Sequence, residues 1–404
     1  MKLDKIIYIL FSVVSATIPF AFVFNVNSIS IMVLAIFTLF FSIIERRGFS
    51  FIWQEGGLLI LYFLFLSISI LYSENAYVGF KKIGSLLAFI LFPLIFMQLS
   101  KEITIKVLKS VIYSFVISNI VALFICYLFA IYTKDPLPLT KGSFYFTEII
   151  DIHPTYFAMY LVFSFVLLIE YFNVKGKYYI LKTVVKTTLL LIFVLSVFFL
   201  KSRSAILSLC VTILFYLFSF VLRFFKLRKN RSLIIYASVI AILFIIFFIR
   251  FDLIFTINDV FEKLINRNSL ESLGVRFEIW KSTLYAVLES PYFGHGIGDK
   301  QIELERSYYI NGFDEGIDEG YNAHNQFLES LLTGGLLLFS ILFLLIRKLF
   351  IQYKKTYNKS IVVFIICLIS AMSFESILVR QHGIVFFCFF FCLINKGLSW
   401  KNIN

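Results

Sequence analysis

Apolar stretches near twenty residues long recur along this chain with almost no charge inside them. Residues 189–200 and 233–249 carry none at all. A helix needs about 20 mostly apolar residues to cross a hydrocarbon layer. The composition agrees: 60% hydrophobic and 15% charged, where soluble domains run near 45–50% and about 25%. The first run, residues 6–24, has the length of a signal peptide, but it lacks a small-residue cleavage site and further runs follow. It is therefore read as a span. The expected fold is all-α, a polytopic membrane bundle of about 12 transmembrane helices.

The spans are expected at 6–24, 28–44, 57–72, 83–99, 107–132, 154–172, 184–200, 204–222, 233–250, 325–346, 361–379 and 383–395. An even number puts both termini on one side, and Lys and Arg decide which. With the N-terminus inside, the inner segments hold 23 basic residues. The short outer loops hold seven: Lys81, Lys82, Lys134, Lys141, Lys201, Arg203 and Arg380. Both termini are thus expected to be cytoplasmic. The same asymmetry accounts for most of the net charge of +13. Nucleic acid is not an expected partner, because no zinc-finger spacing or RNA-binding signature accompanies the charge. The five cysteines, at 126, 210, 367, 388 and 392, lie inside spans. They read as small buried apolar residues, with no disulfide framework or metal site.

One long outer segment, 251–323, separates spans nine and ten. It contains an amphipathic stretch, "GVRFEIWKSTLYAVLES", whose Val275, Ile279, Leu284 and Val287–Leu288 suit a helix lying on a membrane surface. Pro291 ends that helix, and the glycine-rich "GHGIGD" at 294–299 reads as a turn. As a phosphate-cradling loop it is weak, since no strand–helix context supports it, and His295 inside it is ambiguous. An acidic stretch, 303–319, leads to span ten.

Span ten opens with polar residues, "NAHNQFLESLLTGGLLLF". His324 is either an interface residue or a general base, since a neutral imidazole accepts a hydroxyl proton near neutral pH. Asn325 and Glu329 are four apart and share a helix face, where they would orient a ligand or the ring. Gly334 and Gly335 are expected to allow close helix approach. The outer basic residues matter because the charge bias depletes them there. Lys81 and Lys82 precede span four, Lys201 and Arg203 form the corner "LKSRSAIL", Arg276 opens the surface helix, and Arg380 with His382 forms the corner before span twelve. Taken singly, each reads as a side chain snorkelling to headgroups. Taken together at one depth, they suit a diphosphate. Arg offers it a planar fork, Lys a point charge, a helix N-terminus free N–H groups, and Ser202 and Ser204 further donors.

Three stretches in order, "KSRSAILSL", "RFEIWKSTLYAVLESPYFGHGIGD" and "AHNQFLESLLTGGLLLF", resemble the O-antigen ligase and O-antigen polymerase superfamily of bacterial membrane glycosyltransferases. "IHPTYFAMYL" at 152–161 and "ESILVRQHGIVFF" at 375–387 resemble its branch common in Bacteroidetes. The resemblance divides the chain into N-terminal spans (1–184), a ligase-like region (185–340) and C-terminal spans (341–404). It implies a bacterial inner-membrane enzyme of lipopolysaccharide or polysaccharide biosynthesis. The donor would be a glycan on undecaprenyl or another polyprenyl diphosphate. The acceptor would be the hydroxyl of a lipid A core or a growing glycan, and no metal or nucleotide cofactor is implied. It places Arg203 and Arg276 on the diphosphate, Lys81 or Lys82 less securely beside them, and His324 at the essential histidine. Asn325, Glu329, Arg380 and His382 remain for orienting or acceptor roles. His295 departs from the family pattern. Inversion at the anomeric carbon is expected, since one direct displacement needs no enzyme nucleophile. No residue separates ligase from polymerase. A transporter is the rival of another class, but its site belongs near the midplane, where little beyond Asn119 is polar. A purely structural membrane partner would not need the outer basic cluster.

Overall fold

The computed structural model describes residues 2–20, 25–44, 53–133, 142–172, 176, 178–227 and 272–396. Among them there are helices and turns and no strand. In order come α1 (Lys2–Thr17), α2 (Val26–Ile44), α3 (Trp53–Ile68), α4 (Ala76–Leu86), α5 (Ala88–Met97), α6 (Lys101–Tyr132), α7 (Gly142–Thr147), α8 (Pro154–Tyr171), α9 (Tyr179–Phe199) and α10 (Arg203–Leu227). After the segment comes α11 (Ser272–Glu289), then α12 (Gly296–Ile310), α13 (Asp314–Asp318), α14 (Gln326–Thr356), α15 (Lys359–Phe374) and α16 (Gln381–Asn395). Eleven of the twelve expected spans fall on these helices. The ninth, 233–250, and the start of the long segment, 251–271, lie outside the described residues. Among the described residues seven helices, counting α4 and α5 as one, are long and apolar enough to cross a membrane, and four shorter apolar ones accompany them. The chain is a polytopic helical membrane protein.

The bundle is organised around α16. Every residue from His382 to Ile394 is buried, as expected for a helix apolar on all sides. Phe389 meets Phe11, Phe92 and Phe96 from α1 and α5. Phe390 meets Phe115, Phe163 and Phe364 from α6, α8 and α15. Helices at the rim do the reverse: Ile36 and Ile43 of α2 and Ile180 of α9 are exposed, which suits a surface solvated by lipid.

Four expectations change. Span four begins at Ala76, so Lys81 and Lys82 lie within α4 rather than before it. The apolar residues of α11 do not form one face. Ile279 and Val287 enter a small second core with Leu304, Tyr308, Phe313 and Leu332, while Phe277, Leu284 and Leu288 are exposed. "GHGIGD" is only half a turn, because α12 starts at Gly296. The N–H groups of Ile297 and Gly298 donate to the Ser69 and Ser73 hydroxyls, 3.1 and 3.2 Å away. Asp299 accepts from the N–H groups of Glu74 and Asn75. These N–H groups hold protein, not phosphate.

Finally, Gly334 lets the Phe65 ring of α3 approach closely, as expected, but Gly334 and Gly335 also break α14. Gly335 has φ 59° and ψ −157°, a combination open essentially to glycine. The turn Pro291–His295 enters the break. Leu336 N–H donates to the Pro291 carbonyl, and His295 N–H to that of Leu332, both at 2.9 Å. The backbone groups released by the break are thus paired again, as burial requires. A Cβ on Gly335 would lie against the Tyr292 backbone.

Candidate functional site

The polar opening of α14 is divided among separate tasks. Asn325 is its N-cap, accepting from the N–H groups of Phe327 and Leu328 at 2.9 and 3.2 Å, while its own amide donates to the Ser373 carbonyl. Gln326 accepts from Leu378 N–H at 2.7 Å. Glu329 is buried against Lys300 of α12 in an ion pair and also accepts from Ala323 N–H and the Ser376 hydroxyl. Asn325 and Glu329 therefore tie α14 to its neighbours; neither orients the His324 ring.

His324 takes a different partner. Its Nδ1 lies 3.1 Å from Oε2 of Glu375, which follows α15 directly. Its backbone has φ 41°, a left-handed conformation that costs a non-glycine residue about 1 kcal/mol, and its N–H donates to the Asn322 side chain. Burial works to raise the Glu375 pKa. The His324 hydrogen bond, followed by the charges of His324, His153 and Arg276, outweighs it and holds the carboxyl below its ordinary 4.5. An ionised carboxylate only accepts, so Nδ1 carries a hydrogen, and in the neutral form of the ring the lone pair falls on Nε2. Among the described residues Nε2 has no hydrogen-bond partner.

The other carboxylate oxygen of Glu375 lies 3.5 Å from Nη2 of Arg276, whose guanidinium also lies over the Phe374 ring. Arg276 and Glu375 line a cavity of about 220 Å³ with Thr155, Lys201, Ser202, Arg203, Ser204 and Phe374. Burial lowers the Arg276 pKa, Glu375 opposes that, and the Arg203 charge adds to it. A guanidinium stays charged regardless. The two arginines brought together by sequence reasoning thus share one cavity. The corner that carries Arg203 is tight: Lys201 has φ 50°, and the Ser202 hydroxyl accepts from Ala205 N–H.

The remaining candidates do not line this cavity. Lys81 is exposed. Lys82 is half-buried and lines a smaller cavity of about 80 Å³ with Lys300, Glu329 and Gln326. Arg380 and His382 line a third, of about 440 Å³, with Ser85, Asp151, His153, Val379 and Gln381. His153 caps α8, its Nδ1 accepting from Thr155 N–H at 3.2 Å. Burial pushes its pKa down to about 4, partly opposed by Glu375 and reinforced by Arg380, His324 and Arg276. His295 is a strut: its Nε2 lies 2.8 Å from the Ala286 carbonyl.

Sequence reasoning missed Glu375, Lys300 and His153 as members of these clusters. Glu375 and His153 both lay in stretches already singled out, "ESILVRQHGIVFF" and "IHPTYFAMYL". A carboxylate closing an apolar run was the available signal. Lys300 offered none, being one basic residue near an acidic stretch.

Residues 188–343 match the model of the O-antigen ligase family. The match includes Arg203, Arg276, Lys300, His324 and Glu329 but ends before Glu375. An uncharacterized protein of Haemophilus influenzae is 32% identical over 107 residues, which is 25% of each chain. The chain thus spans about a quarter of that relative. Residues 188–343 of this protein are thus similar to the O-antigen ligase family.

Proposed function

We propose that the chain is a membrane glycosyltransferase that moves a glycan from a polyprenyl diphosphate to an acceptor hydroxyl. The reaction occurs at the outer face of the bacterial inner membrane, with both termini cytoplasmic. The observation that carries this reading is the cavity that Arg203 and Arg276 both line, bordered by Glu375, whose carboxylate also contacts His324. The two arginines hold the diphosphate by planar forks. The acceptor oxygen forms its bond to the anomeric carbon as the bond to the diphosphate breaks, and that electron pair leaves on a phosphate oxygen. Nε2 of His324 takes the hydroxyl proton, and Glu375 holds the ring in the tautomer that can do so. Charge growing on the leaving group is met by cations already in place. One displacement inverts the anomeric centre. The cavity of Arg380, His382, Asp151 and His153 is polar enough to receive the acceptor sugar.

The test is transfer from a defined polyprenyl-diphosphate glycan in proteoliposomes. Arg203→Ala and Arg276→Ala should each abolish transfer and donor binding while the protein still inserts; donor affinity unchanged in both would end this reading. Ligase and polymerase share this chemistry and differ in acceptor. In a deletion strain, long chains left on the carrier mark a ligase, and single repeat units mark a polymerase. Orientation is checked by outside labelling of Tyr309→Cys in an otherwise cysteine-free chain, since Tyr309 is exposed on α12.

A further inference from the structure

Among the described residues Glu375 is the one acid lining the cavity of Arg203 and Arg276, and it is shared. Oε1 faces Arg276 at 3.5 Å, while Oε2 faces His324 at 3.1 Å. The two contacts are unequal. Charge-assisted hydrogen bonds between nitrogen and oxygen run about 2.7–2.9 Å, so the arginine contact is the looser one. The carboxylate therefore sits as an anion against Arg276, in the seat a phosphate oxygen would take, while its other oxygen is committed to the imidazole.

We propose that Glu375 is a positioning residue that couples donor binding to the strength of the His324 base. The inference rests on the diphosphate reading of this cavity. Arg276 shares the Glu375 charge with His324. An arriving diphosphate takes Arg276, and the carboxylate charge then falls on the His324 Nδ1–H alone. Both changes favour a proton on Nε2: a neighbouring cation is neutralised, and the partner carboxylate is no longer divided. The base becomes strong once the donor is seated. Among the described residues the other ionisable groups around the pair are His153 at the cap of α8, Tyr156 on α8, Arg203 and Lys201 at the corner of α10, Arg380 before α16 and Tyr321 before α14. None of them joins the two contacts. Glu329, one turn on, is committed to Lys300.

The coupling has a signature that a purely structural role does not share. In Glu375→Gln, the intramolecular competitor for Arg276 is gone. Binding of glycan-free polyprenyl diphosphate should tighten roughly two- to fivefold, the worth of a partly exposed ion pair. The kcat for transfer should fall about 10²-fold. Glu375→Asp, which keeps the charge, should recover part of that kcat. If binding and kcat both weaken in Glu375→Gln, the proposal is wrong. Should that variant fail to accumulate, the wild-type protein decides. The chain has four histidines, so nitrogen-15 histidine spectra in nanodiscs resolve the His324 titration, identified by its loss in His324→Gln. The His324 midpoint should rise when polyprenyl diphosphate is added. A fixed midpoint, with binding that still depends on Arg203 and Arg276, overturns the coupling and leaves the diphosphate reading standing. Binding that depends on neither arginine overturns both.

Discussion

Two buried carboxylates of this protein each meet a cation and are built for opposite purposes. Glu329 is enclosed. Its side chain and that of Lys300 are 4% and 8% exposed, and a backbone N–H and a hydroxyl complete its contacts. Glu375 is left open. Its partners Arg276 and His324 are 21% and 26% exposed, its contacts are longer, and a cavity adjoins it. A saturated buried pair cannot release a partner without leaving an unpaired charge in a poorly solvated place, so it holds structure. An unsaturated pair beside a cavity exchanges partners at little cost, so it is suited to chemistry.

The largest expected effect lies on the open side. His324→Ala should lower turnover about 10²–10⁴-fold, with thermal unfolding in detergent nearly unchanged. Turnover within a few-fold of wild type would move His324 to the structural class. On the closed side, Lys300→Ala should destabilise the protein by about 3–5 kcal/mol, because Glu329 keeps a buried charge without its cation. The double variant Lys300→Met with Glu329→Leu should regain most of that loss in the same unfolding measurement. Failure to regain it would mean that Glu329 also serves the site. A third variant tests the scaffold that carries the closed pair. Gly335→Ala places a Cβ against the Tyr292 backbone at a left-handed φ, so a loss of about 1–3 kcal/mol is expected. An unchanged unfolding midpoint would show that the break in α14 is not needed.

The smallest effect is one of pH. The folded-state pKa of His153 is pushed down to about 4 from an ordinary 6.5. Between those values the unfolded chain binds more protons than the folded one. Stability should therefore fall as pH drops from about 6.5 to about 4, by on the order of 1–2 kcal/mol given its partial exposure. His153→Gln should flatten that slope in thermal unfolding across the same range. An equal slope in the variant would assign the loss to other groups.

The sequence by itself determined the class of fold, because apolar length and charge bias are local quantities that a bilayer reads directly. Eleven expected spans fall on described helices for that reason. It also brought out Arg203, Arg276 and His324, since a cation or an imidazole is out of place beside an apolar run. Asn325 and Glu329 were expected from helical spacing to orient a ligand or the ring; the ring meets Glu375 instead, because His324 lies outside α14, in a left-handed turn before the cap. Only the tertiary structure decided which carboxylate meets which cation. Glu375 stands 51 residues from His324 and 99 from Arg276, and Lys300 stands 29 from Glu329. Such pairings are set by how α11, α12, α14 and α15 pack, and no local pattern records them. The same holds for Gly334 and Gly335: their freedom is visible in the sequence, but its use, admitting the turn Pro291–His295 and the Phe65 ring, depends on segments distant along the chain.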